Sequence, residues 1–169
     1  MKSLRFMLPV VLMSLVTVVF AQSDAQKAFD QLKTLAGSWE GVVAGTGSEV
    51  DGRAAHLTLR VTSMGNALMH EMKIDGRQDD PITMLYLDGD RVLLTHYCDA
   101  GNRPRMAGKS SPDGKTVDFE FLDVAGSTQY GHMHHAAFTV VDANHHIEDW
   151  IFMVGDKPVP VHLDMKRAK

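Results

Sequence analysis

The chain has 169 residues, 44% of them hydrophobic, with 17 Lys and Arg against 21 Asp and Glu for a net charge of −4. That is enough chain for one globular domain, and the acidic balance argues against nucleic acid as a partner, because neutralising phosphates takes clustered Lys and Arg. The one cysteine, Cys98, excludes an internal disulfide, so stability must come from packing.

The first stretch, MKSLRFMLPVVLMSLVTVVFAQSDAQ, reads as a targeting segment. Lys2 and Arg5 precede an apolar run from Phe6 to Ala21, and Val19-Phe20-Ala21 offers a small-residue cleavage site before Gln22. The run of 16 residues is shorter than the roughly 20 that span a bilayer as a helix. Residues 1–21 are therefore expected to be a signal peptide, and 22–169 one secreted or periplasmic domain with no membrane span after its removal. No Cys follows the run to carry a lipid. Losing Lys2 and Arg5 takes the net charge from −4 to −6.

Ser23 followed by Gln26 reads as a capping box, and Ala25, Phe29, Leu32 and Leu35 follow at helical spacing until Gly37. One short helix is predicted over 24–36, with Gly37 as its C-terminal cap. Everything beyond it alternates or is β-rich, over 38–44, 54–63, 67–74, 82–87, 91–99, 103–110, 116–123, 132–141, 146–154 and 159–167. Turn clusters such as GTGSEVDG, DGRQDDP, DAGN, SPDG and DANH separate these runs. The expected fold is all-β, an antiparallel up-and-down barrel of about ten strands capped by the helix, since closure removes the edges an open sheet would expose.

In a strict meander with the helix at the lower end, strands 91–99 and 116–123 run upward while 103–110 and 132–141 start from the top. His96 and Cys98 then lie near the top of one strand, Met106 near the start of the next, and His132 and His134, in GHMHHAAF, at the start of a third. Parity places His96 and Cys98 with Leu94, and His132 and His134 with Ala136 and Phe138. His96, Cys98, Met106, His132 and His134 are thus expected to line one mouth of the cavity, with His135 facing out and His145 and His146 at the other end. Met84, Met106, Phe119, Phe121, Phe138 and Trp150 would supply an apolar wall.

Three readings of that mouth stand side by side. It is a polar rim around a small hydrophobic or amphipathic ligand, with Phe138 and Trp150 beside the histidines. Alternatively, His96, Cys98, His132 and His134 supply the N and S ligands that Zn favours, with Met106 suited to Cu. Or the barrel is filled by its own side chains and uses its surface for contacts. No Gly-x-Ser-x-Gly, Cys-x-x-Cys, Walker A or His-Glu-x-x-His motif is present, so binding is expected rather than catalysis. Glu148-Asp149-Trp150 and His70-Glu71 read as structural strand positions.

The stretch LKTLAGSWEG, residues 32–41, resembles the opening of a lipocalin-like (calycin) barrel, where a short helix leads into a strand carrying Gly-x-Trp, here Gly37-Ser38-Trp39. The resemblance implies that a basic residue of the last strand packs on that Trp, and Arg167 in VHLDMKRAK is the matching position. The chain also resembles a group of uncharacterised exported bacterial lipocalin-like proteins in LTHYCDAGNRPRM, GHMHH and EDW. The Thr-Asp-Tyr type motif of kernel lipocalins is missing, and ten strands fit the fatty-acid-binding or nitrobindin-like branches better. Nitrobindin-like relatives bind haem through a His, which adds haem as a cofactor that the resemblance implies.

Overall fold

The computed structural model describes residues 22–169, and the expected signal peptide lies outside them. Helix α1 (Asp24–Lys33) is followed by ten strands: β1 (Gly37–Ala44), β2 (Ala54–Thr62), β3 (Ala67–Ile74), β4 (Ile82–Asp88), β5 (Arg91–Tyr97), β6 (Arg103–Ser110), β7 (Thr116–Ala125), β8 (His132–Asp142), β9 (His145–Val154) and β10 (Lys157–Arg167). Each strand pairs with the next, and β10 pairs back onto β1, so the sheet is a closed antiparallel barrel. Alternation along the strands is apolar in and polar out: Leu57 and Leu59 are buried while His56, Thr58 and Arg60 are exposed. A lipid-embedded barrel carries the reverse pattern. Among the described residues no helix is long and apolar enough to cross a membrane.

The helix closes the lower end. Ser23 Oγ accepts from Gln26 N–H (3.1 Å), but the Gln26 side chain reaches forward to Asp30 rather than back to complete a capping box. Ala28, Phe29, Leu32 and Leu35 are buried on its inner side. The predicted end at residue 36 is corrected. The helix stops at Lys33, with Thr34 as its cap, and Gly37 opens β1 instead of capping α1. Gly37 is needed for two reasons: its φ is +139°, and a Cβ there would come within 2.4 Å of Arg167 Nη1.

Arg167 and Trp39 meet at this closed end. The guanidinium carbon sits 4.1 Å from the Trp39 ring centroid. Its nitrogens donate to Ala143 O (2.8 Å), Ala36 O (2.9 Å) and Thr34 O (3.3 Å). Trp39 Nε1–H donates to Leu35 O at 2.8 Å. One cation thus fastens the helix–β1 connection to the β8–β9 turn over a buried indole.

Above this plug Leu57, Leu68, Leu85, Leu94, Met106, Phe119, Phe138 and Leu163 fill the lumen. Two irregularities matter for the upper end. Between β6 and β7 the register slips at Arg105/Met106, leaving Leu122 as an extra residue. Between β8 and β9 it slips at Met133/His135, with His134 extra.

Candidate functional site

A cavity of about 220 Å³ opens at the end opposite the helix. Its wall comes from the upper ends of several strands, with Val43, Met72, Ile74, Met133, Trp150, Phe152, Val159 and Val161. Thr46 and Ser48 of the β1–β2 loop, Arg77 and Asp79 of the β3–β4 loop, and Cys98 and Asp99 of the β5–β6 loop form the rim.

His96 is the polar group at the inner end. It is 3% exposed, its ring lies 5.6 Å from that of Trp150, and Nδ1 is 2.8 Å from Thr83 Oγ1. Burial, and then the nearby His70, push its pKa down to about 4, so the imidazole is neutral at physiological pH.

At the mouth, Arg77 forks onto Asp79, with Nε to Oδ1 at 2.9 Å and Nη2 to Oδ2 at 3.0 Å, and Nη2 also reaches Asp99 Oδ2 at 2.7 Å. The hydrogen bond from Arg77 holds Asp79 near 2, whereas burial and the neighbouring Asp79 raise Asp99. This pairing joins the β3–β4 and β5–β6 loops across one side of the opening. Cys98 donates to Asp99 Oδ1 at 3.4 Å, and burial pushes its thiol up to about 11, which keeps it protonated.

Behind Trp150 lies a polar network that sequence reasoning treated as ordinary strand positions. Glu148 is fully buried and accepts from His70 Nε2 (3.1 Å), His146 Nε2 (3.0 Å) and Trp150 Nε1 (3.0 Å). Burial alone would raise its pKa, but the charge of His70 and the hydrogen bonds from His146 and His70 reverse that and keep it ionised. Nδ1 of both histidines is buried without a partner among the described residues. His146 also stands edge-on to Trp39 at 4.2 Å, so the network runs from the cavity wall to the closed end. A usable signal existed. His146, Glu148 and Trp150 alternate on one face of β9, and His70 shares parity with the apolar Leu68 and Met72.

The structure divides the predicted site residues. His96, Cys98 and Trp150 line the cavity. Met106, Phe119 and Phe138 are core side chains below it, and Met84 alternates with the buried Thr83 and Leu85, opposite Met69 and Thr95. His132 and His134 are half-buried and touch each other (Nε2 to Nδ1, 3.2 Å), with Phe121 stacked 4.5 Å from His134. They do not line the cavity; Met133 does. The physical reason is the bulge at His134, which breaks the alternation that parity counting assumes. His135 pairs with Asp118 at 3.0 Å.

His96, Cys98, His132 and His134 do not gather into one ligand set. Among the described residues the group whose ligand atoms lie mutually within 4.8 Å is Asp118, Glu120 and His135.

The fold and this site define a closed ten-stranded antiparallel β-barrel with a cavity at one end. Two solved structures are similar. Rv2717c from M. tuberculosis has a TM-score of 0.57 and 13% identity, over 84% of this chain and 98% of that one. A protein of unknown function from the DUF3598 family of Nostoc punctiforme PCC 73102 has a TM-score of 0.55 and 12% identity, over 81% of this chain and 49% of that one. The chain spans about half the length of the Nostoc protein, and at these identities the likeness shows the fold alone. No protein-family model and no curated protein matches the chain.

Proposed function

We propose that the protein is an exported lipocalin-like barrel that holds one small, largely apolar molecule in the open-end cavity. The observation that carries this is the cavity itself, a concave, mainly apolar space with a few convergent polar groups above a lumen packed with buried side chains. Its 220 Å³ sets the size of the guest, since a dry apolar cavity of about 150 Å³ accommodates benzene. Export rests on Lys2, Arg5 and the apolar run that follows them.

The residues present do not fit the cofactors considered from sequence. Zn or Cu would need His96 and Cys98 to converge with His132 and His134, and the Cys98 thiol is held protonated by burial. A porphyrin is far larger than the cavity encloses. The test is an NMR titration with ethylbenzene. Shifts should concentrate on Met72, Met133, Trp150 and Val161, and should vanish in Val161→Phe, which fills the space. Shifts scattered over the barrel surface, or none, would overturn the proposal.

A further inference from the structure

We infer that the cavity selects a neutral molecule ending in a hydrogen-bond acceptor, such as a ketone, ester or amide, and that His96 Nε2–H meets that acceptor; this rests on the cavity-binding reading above.

The tautomer follows from hydrogen-bond accounting. Thr83 is 1% exposed, and its hydroxyl has one partner among the described residues, His96 Nδ1 at 2.8 Å. A buried hydroxyl proton needs an acceptor, and Nδ1 is the acceptor at hand, so Thr83 donates. The ring proton then sits on Nε2. That nitrogen has no protein partner among the described residues, and it is not one of the buried unpartnered atoms, so the side chain that lines the cavity offers it to a guest. That nitrogen is open to the cavity, and a guest acceptor meeting it would make its hydrogen bond in a site shielded from bulk water.

Charge decides the rest. Among the described residues Arg77 is the one Lys or Arg lining the cavity, and its guanidinium is forked onto Asp79 and bound to Asp99. His96 is neutral, and Glu148 is an anion behind Trp150. A carboxylate guest would therefore find the cation at the mouth already paired with two carboxylates, and the charge of His70 beyond the wall already paired with Glu148. An anion buried without a counter-charge is strongly disfavoured.

Three probes of matched size separate the terms: acetophenone, ethylbenzene and benzoate, titrated against the mature protein at pH 7. Acetophenone should bind about tenfold tighter than ethylbenzene, the worth of one good hydrogen bond, with benzoate weakest. In His96→Phe the preference for acetophenone should disappear while ethylbenzene still binds. Thr83→Val, which frees Nδ1, should reduce the preference without moving ethylbenzene, and ¹⁵N shifts of the His96 ring should change with it. Equal binding of acetophenone and ethylbenzene, tightest binding of benzoate, or ring shifts that put the proton on Nδ1 would overturn the inference and leave the cavity reading standing. Failure of all three probes to bind would overturn both.

Discussion

Glu148 is a carboxylate sealed from water, tolerated because three N–H groups point at it. Glu148→Ala would strand those donors and leave a void, so urea unfolding should show a loss of about 3–5 kcal/mol. A loss within the ~0.5 kcal/mol of ordinary surface changes would show that the network contributes nothing. His96 adds a pH dependence of defined sign. Its pKa falls from 6.5 in the unfolded chain to about 4 when folded, so the unfolded state binds more protons between those values. The stability it contributes is complete above pH 6.5 and is lost as pH falls toward 4, a change of about 3 kcal/mol at ~1.4 kcal/mol per unit. Glu148, ionised by its partners, loses stability in the same direction below its ordinary 4.5. Unfolding of wild type and His96→Phe at pH 7 and pH 5 should show the difference shrinking in the variant. Parity alone placed His96 and Cys98 at the cavity. The face that Glu148 shares with His146 and Trp150 was the signal available for the buried network, but a carboxylate beside a histidine reads equally well on a solvated face.

At the level of elements, the closed end is the part most sensitive to substitution. Trp39→Ala removes a buried indole and should cost about 3–5 kcal/mol. Arg167→Lys should cost about 1–2 kcal/mol, because an ammonium cannot fork to three carbonyls from one planar group. Gly37→Ala should cost about 1–3 kcal/mol, from both the positive φ and the clash with Arg167. A loss in Gly37→Ala that persists unchanged in Arg167→Ala would assign it to backbone strain alone. Strand order and direction were legible because each turn carries Gly, Asp, Asn or Pro between two β-rich runs. The bulges were not. One extra residue such as His134 leaves hydrophobic composition and turn signals unchanged while moving its neighbours off the expected face.

For the whole molecule, the wall and mouth of the cavity come from segments distant in sequence, from Val43 to Val161. That dispersal explains why no local motif announced the site, and why its size emerged only once the lower lumen was seen to be filled. The proposed export is tested at this scale as well. Mass spectrometry of exported protein should find a chain starting at or near Gln22, and recovery of residues 1–21 on cytoplasmic protein would remove the basis for the compartment.

The β1–β10 pairing has a consequence in time. Some 131 residues separate Ala36 from the Arg167 that bonds to it, so the ring cannot shut until the last strand has been made and delivered. A meander can zip hairpin by hairpin, but throughout that growth β1 presents an unpaired edge and so does the newest strand. Long-range closure of this kind is slow relative to local pairing. A chain threaded across a membrane from its N-terminus would therefore stay open, and safe to thread, until its final residues emerged, and its period of greatest exposure to aggregation would fall immediately after translocation.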